Sequence, residues 1–188
     1  MDIFALLTLC GPAVHPNTTT ALIVAESGGN PYAIGDNTTK RSYFPQTKDQ
    51  AVSLAYQLIQ SGHRIDMGLT QISSPWLSTW NISLNQVFDP CANISIGTSL
   101  LADNYQHCEA TAMNEKGALW CALSKYNTGT ANGGYAYVNR VLAAANVYSE
   151  LRYVAPAKSS HKHKTNKKIV DYGGLEFKST VPATITFR

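Results

Sequence analysis

Apolar residues recur along the chain in patterns that predict a mainly helical fold. The opening MDIFALLTLCGPAV is short and apolar and reads as a first helix. In the next stretch Asn17 and Thr18 offer N-caps, Ala21 to Ala25 form an unbroken apolar run, and Gly28-Gly29 offer the stop. Apolar nearly all round, this helix is expected to be buried. Thr47 and Gln50 form a capping-box pattern ahead of Val52, Ala55, Leu58 and Ile59 at helical spacing, and Gly62 ends that helix. Asp89-Pro90 supplies a cap and a proline for a helix running to about His107, with Ile94, Leu100 and Leu101 inward. NEKGALWCALSKYN predicts a helix from near Asn114 to near Tyr126. YAYVNRVLAAANVYSEL predicts a last one, striped by Val138, Val141, Leu142 and Ala145. Residues 30–46 read as irregular with one short strand, and HRIDMGLTQISSPW as turn and strand. The pattern is a mainly α, α+β domain whose short β and irregular region interrupts the helices. No internal repeat is visible.

The character changes at Ala155. APAKSSHKHKTNKK is polar, basic and without apolar periodicity, which predicts a domain over 1–154 and a basic linker and C-terminal tail over 155–188. Up to Val154 eight basic residues face ten acidic ones, and beyond it seven face two. A mildly acidic domain with a basic tail is not the footprint of a nucleic-acid binder. His161 and His163 fall in that basic segment and read as part of a solvated linker. The final IVDYGGLEFKSTVPATITFR reads as a loosely held tail or as a strand added to a partner. No run of about 18 apolar residues exists, so no transmembrane helix is expected. The N-terminus has no Lys or Arg ahead of its apolar run and does not read as a signal peptide.

Cys10, Cys91, Cys108 and Cys121 form no CxxC pair, which argues against zinc. Four cysteines allow three pairings, and spacing alone does not choose between them or between disulfides and reduced thiols.

Glu26 is the residue with chemistry to explain. It sits where a buried helix ends. Partial burial and the negative end of the helix dipole both disfavour its ionised form, which raises a carboxyl toward the range of a general acid near neutral pH. The alternative is a surface charge beside the helix cap. The neighbours decide. ESGGNPYAIG, GLTQI (Gly68 to Ile72), NISIGTSLL (Asn93 to Leu101) and ALSKYNTG (Ala122 to Gly129) occur in that order. Together, over roughly residues 1–150, they resemble the goose-type-lysozyme-like lytic transglycosylases. The NPYAIG variant and the cysteine-bearing N-terminus are similar to the branch attached to type IV secretion and conjugation systems.

That resemblance implies a lysozyme-like fold with its β region lining a cleft. It implies a peptidoglycan substrate, a single catalytic acid and no cofactor or metal. Glu26 matches the acid that protonates the glycosidic oxygen between N-acetylmuramic acid and N-acetylglucosamine. It would then act as base on the muramic C6 hydroxyl, closing a 1,6-anhydro ring. Most glycosidases need two carboxylates about 5–9.5 Å apart; an internal hydroxyl makes the second dispensable. Ser27 matches the serine after the acid, or simply ends the helix. Gln71 matches a cleft amide, Tyr126 a tyrosine close to the acid that orients it, and Asn127 a residue holding backbone or substrate. Asn93 and Gly97 read as packing residues. The resemblance also implies a periplasmic or envelope location, a monomer, and secretion-system contact through the tail.

Departures from the family pattern matter. Ser124-Lys125 replace small apolar residues before Tyr126, Thr70 stands in place of a methionine that touches sugar, and Gly35 in place of a serine of the catalytic subsite, a role open to a group from 36–46. Asp66 is the residue that would change the reaction: placing a water opposite Glu26, it would make the enzyme an inverting hydrolase. Its other reading is a turn or surface aspartate. Asp49 and Asp89 read as helix-start residues. The predicted helices put Cys108 and Cys121 on neighbouring antiparallel elements, so a bridge there leaves Cys10 with Cys91. The competing function class is a non-catalytic glycan-binding or assembly protein on the same fold. A third, a defensive lysozyme, shares the acid without the basic tail.

Overall fold

The computed structural model describes residues 3–152; the basic linker, the tail and the boundary expected before them lie outside the described residues. Helices α1 (Ile3–Cys10) and α2 (Pro16–Ser27) open the chain. A β lobe follows, with β1 (Ile34–Asp36), β2 (Arg41–Tyr43), α3 (Lys48–Gln60), β3 (Ile65–Met67), β4 (Ile72–Ser73), α4 (Pro75–Thr79) and α5 (Leu84–Val87). The long α6 (Pro90–Glu109), α7 (Glu115–Thr128) and α8 (Tyr135–Arg152) complete the domain. The strands form one antiparallel sheet in the order β2-β1-β3-β4. The mainly α, α+β architecture expected from the pattern is the one observed. No helix among the described residues is long and apolar enough to cross a membrane.

The start of α2 differs from the expected caps. Pro16 takes the first helical position and His15 is the cap, its Nδ1 accepting from the Asn17 N–H at 3.2 Å. Proline's fixed φ starts the helix two residues before the threonines. Thr19 and Thr20 instead donate their hydroxyls back to the carbonyls of His15 and Pro16, which satisfies them inside a helix. Gly28, at φ 63°, ends α2 as expected, its N–H reaching the Val24 carbonyl.

At α3 only half of the expected capping box forms. Thr47 accepts from the Gln50 N–H, but the Gln50 side chain accepts from the N–H of Gln46. A complete box occurs at Ser83 and Gln86 on α5, a helix absent from the sequence reading, as is α4. Helices of five and four residues are too short to show a 3.6-residue period. Residues 30–46 hold two strands rather than one. The turn joining them is built on Asp36, whose carboxylate accepts from the N–H groups of Thr38 and Thr39 and the Thr39 hydroxyl, and pairs with His63 Nδ1 at 2.7 Å. Burial pushes the Asp36 carboxyl up, but these hydrogen bonds outweigh it and hold the group well below the usual carboxylate range.

Helix α6 joins the cores. Leu101 packs with Leu22, Leu123 and Val138 among α2, α7 and α8. Ile96 packs with Ile34, Ile65, Met67 and Phe88 beneath the sheet. Ile94 meets Leu7, Ile23 and Leu69 under α1. Each such fully buried aliphatic side chain contributes about 1.5–3 kcal/mol. Asp89 caps the helix and Pro90 follows it, as the sequence predicts. Cys10 is bridged to Cys91 and Cys108 to Cys121, tying both ends of α6 to its neighbours.

Candidate active site

The apolar run from Ala21 buries α2 and carries Glu26 to the helix's penultimate position, at the wall of a cleft of about 830 Å³. Asp66 and Gln71 line the cleft from the β lobe, Tyr126 and Asn127 from the end of α7, and Trp76 and Trp80 from α4 and its C-cap. The cleft brings together Glu26, Gln71, Tyr126, Asn127 and Asp66.

Ser27 is elsewhere. Its hydroxyl donates to the carbonyls of Leu69 (2.9 Å) and Ile23 (3.2 Å) and accepts from the Gly29 N–H, and it does not line the cleft. Of its two readings the helix-ending one fits. The bond to Leu69 also fixes the end of α2, which carries Glu26, against the β3–β4 connection.

That connection, residues 68–71, is shaped by Asn93. This buried side chain donates to the carbonyls of Met67 (3.0 Å) and Val87 (2.7 Å) and accepts from the N–H and hydroxyl of Thr70 (2.8 and 2.7 Å). Gly68 has φ 78°, and a Cβ there would overlap the Asn93 amide. Thr70 is fully buried, its side chain in space that a Cβ on Gly97 would occupy. Thr70 therefore faces away from the cleft and belongs to the polar framework beneath it. Replacing Asn93 with Ala leaves several buried partners unsatisfied and is expected to cost about 2–4 kcal/mol. Urea unfolding checks this, and a loss below about 1 kcal/mol would contradict it.

Gln71 follows in the left-handed region, at φ 52°, uncommon for a residue with a side chain. Its amide nitrogen donates to the carbonyls of Gly68 (2.9 Å) and Ala33 (3.2 Å). Both partners are acceptors, so the amide orientation is fixed, and Gln71 has only its oxygen left to offer as an acceptor. Gly35 makes room for this arrangement, since a Cβ there would stand 3.0 Å from that oxygen. Asn37 and Lys40, from the segment after Gly35, line the cleft. Ser124 is buried and satisfied: it donates to the Thr130 carbonyl and accepts from the N–H groups of Gly133 and Gly134, so it organises the loop after α7.

The tyrosine that touches the acid is Tyr137, not Tyr126. Tyr126 donates its hydroxyl to the Thr70 carbonyl at 2.7 Å. Tyr137, buried on α8, donates to Glu26 Oε1 at 2.5 Å. The Arg140 guanidinium lies 5.4 Å from the centre of the Tyr137 ring. Sequence reasoning missed Tyr137; its signal was an aromatic with a polar tip beside the apolar stripe of the last helix. Burial and the nearby Glu26 charge push both phenols well above the usual tyrosine range, so each remains a donor.

Glu26 is pushed up to about 7. Loss of water on burial is the main cause and the negative charge of Asp66 adds to it, while the Tyr137 hydrogen bond and Arg140 oppose it. Near neutral pH such a group exists in both protonation states. It can give a proton and take one back. Asp66 is a strand residue on the cleft wall rather than a turn aspartate, and its Oδ2 accepts from the Asn37 amide at 2.7 Å.

The chain is similar to known proteins. The family model of the transglycosylase SLT domain matches residues 8–143. The chain is 34% identical over 155 residues to the type IV secretion system protein virB1 of Brucella suis biovar 1, covering 78% of this chain and 65% of that protein. It is 35% identical over 138 residues to protein virB1 of Agrobacterium fabrum, covering 72% of this chain and 56% of that protein. The chain thus spans less than two thirds of the length of these relatives. No solved structure matches it.

Proposed function

Because the chain belongs to the transglycosylase SLT domain family, we propose that it is a peptidoglycan lytic transglycosylase in which Glu26 performs both proton transfers. The observation that carries the reading is one carboxyl on the cleft wall, held near pKa 7 by burial and fixed by Tyr137. Protonated Glu26 gives its proton to the oxygen of the β-1,4 bond between N-acetylmuramic acid and N-acetylglucosamine, and the bond from that oxygen to the muramic C1 breaks. The C6 hydroxyl oxygen of the same sugar bonds to C1, and its proton passes to the Glu26 carboxylate. The acid is regenerated, no water is consumed, and the new end is a 1,6-anhydro sugar. Gln71 accepts a hydrogen bond from a sugar hydroxyl or N-acetyl N–H, and Tyr126 and Asn127 form the adjoining wall.

The Brucella relative, named as a type IV secretion system protein, supports a role in opening the cell wall locally for a secretion or conjugation apparatus. On this reading the protein works in the periplasm or cell envelope, and the tail is the segment that would meet the apparatus.

A second reading has an observation of its own. Asp66 shares the cleft with Glu26, so an inverting hydrolysis with Asp66 directing a water is the competing chemistry. Digesting purified peptidoglycan and weighing the soluble fragments separates the two. Anhydro products, each one water lighter than lysozyme products, are expected. Ordinary reducing ends would transfer the assignment to the Asp66 mechanism.

A further inference from the structure

Ser124 has no part in the proton transfers, yet it is a fully buried polar side chain one turn before the end of α7. All the hydrogen bonds of its hydroxyl go to one loop. It donates to the Thr130 carbonyl at 2.8 Å, where the loop after α7 begins. It accepts from the N–H groups of Gly133 (3.1 Å) and Gly134 (3.0 Å), where that loop ends. The Ser124 carbonyl in turn accepts from the Thr128 hydroxyl at 2.8 Å. Gly134 passes so close that a Cβ there would stand 3.0 Å from Ser124 Cα. Helix α8 starts at the next residue, and the Gly134 carbonyl accepts from the Val138 N–H in its first turn. One hydroxyl on α7 thus clamps the beginning of α8.

Both phenols of the site sit close to this clamp, Tyr126 just after Ser124 on α7 and Tyr137 in the first turn of α8. Tyr126 reaches the Thr70 carbonyl and Tyr137 reaches Glu26. The groups that act on the Glu26 charge are Tyr137 and Arg140 from α8 and Asp66 from β3, and Tyr126 on α7 feels that charge in turn. Tyr137 is the member of this set that donates a hydrogen bond to the carboxyl.

We propose that Ser124 is a positioning residue for the reaction: by fixing the start of α8 it sets the Tyr137 hydroxyl on Glu26. An alanine at 124 would leave the Thr130 carbonyl and the Gly133 and Gly134 N–H groups without this partner. The loop would shift to satisfy them elsewhere, and the first turn of α8 would move with it. With its donor drawn back, the carboxylate loses support and Glu26 holds its proton to higher pH. The role of Ser124 in the reaction rests on the glycan-cleaving reading above, but its hold on Glu26 is measurable without turnover.

The test is Ser124→Ala in the full chain, read as the rate of wall cleavage against pH and as the titration of the Glu26 carboxyl carbon by NMR. The alkaline limb and the NMR midpoint should both move to higher pH by about half a unit or more, and cleavage near neutral pH should fall about threefold to tenfold. Added to Tyr137→Phe, the same substitution should move the midpoint by less than about half as much, because the donor it acts through is gone. A slower Ser124→Ala enzyme with an unmoved midpoint, or the full movement in the Tyr137→Phe background, overturns the proposal. Thermal unfolding shows whether the variant is folded. If it is not, Gly134→Ala takes its place, since the added Cβ presses the start of α8 away from Ser124 and keeps the hydroxyl, and the same outcomes decide. A midpoint that moves as expected while the unmodified chain cleaves no wall would support the positioning of Glu26 and sink the enzymatic reading. Wall cleavage with an unmoved midpoint would do the reverse.

Discussion

Glu26→Gln is expected to lower peptidoglycan cleavage by about a thousandfold or more, because in the proposed reaction one carboxyl serves both as acid and as base. Gln keeps the shape and still accepts from Tyr137, so the loss reports proton transfer and not packing. The same variant has a second signature. Glu26 is raised from 4.5 to about 7 in the folded protein. The folded state therefore holds more proton than the unfolded state between those values, and stability falls as pH rises through the window. Below pH 4.5 the penalty is absent, and above pH 7 it is complete. Gln cannot ionise, so the variant should match the parent in stability at pH 4 and exceed it at pH 8. The excess is on the order of 2 kcal/mol, after allowance for the edge of Glu26 that faces solvent. Cleavage that survives the substitution would remove Glu26 from the mechanism. A stability difference that does not vary with pH would remove the raised carboxyl.

Tyr137→Phe has the next largest expected effect. The phenol donates to Glu26 Oε1 and favours the carboxylate. Without it Glu26 rises further above 7, and the alkaline limb of the rate profile, where the acid loses its proton, moves to higher pH. The rate near neutral pH should drop about tenfold to a hundredfold, because the carboxyl loses its orientation and becomes a weaker acid in the first step. A Phe variant that is slow but keeps the parental pH profile would show that Tyr137 only fills space. Tyr126→Phe removes a bond to the Thr70 carbonyl instead, and should leave the alkaline limb in place.

What the sequence made legible follows the range of the interactions. Glu26 was marked by local signals, an apolar run before it and a double glycine after it, but only the later motifs GLTQI, NISIGTSLL and ALSKYNTG set it apart from a surface charge. The long helices were legible through their period, and α6 also through Asp89 and Pro90. Helices α4 and α5 were not, because five or four residues do not complete two turns, although the Ser83–Gln86 box was present in the sequence. Tyr137 was out of reach for another reason. Its bond to Glu26 joins residues 111 positions apart, and no short pattern encodes such a meeting. The framework role of Thr70 was not legible, because a family comparison says which residue is replaced and not which way it points. Its partner Asn93 was read as a packing residue, and the packing is a set of hydrogen bonds.

The two disulfides differ in what they enclose. Cys108–Cys121 spans 13 positions of one helical hairpin, whereas Cys10–Cys91 spans 81. In the chain-entropy picture the longer closure contributes about 4.5 kcal/mol and the shorter about 3. The longer one also has a topological result. Glu26, the whole sheet, Gln71 and both cleft tryptophans lie on a single covalent ring closed at Cys10 and Cys91. A protease that cuts once within that ring opens it to a line without dividing the molecule. The acid, the cleft floor and the aromatic wall stay on one connected chain through an encounter that would split an unbridged domain in two.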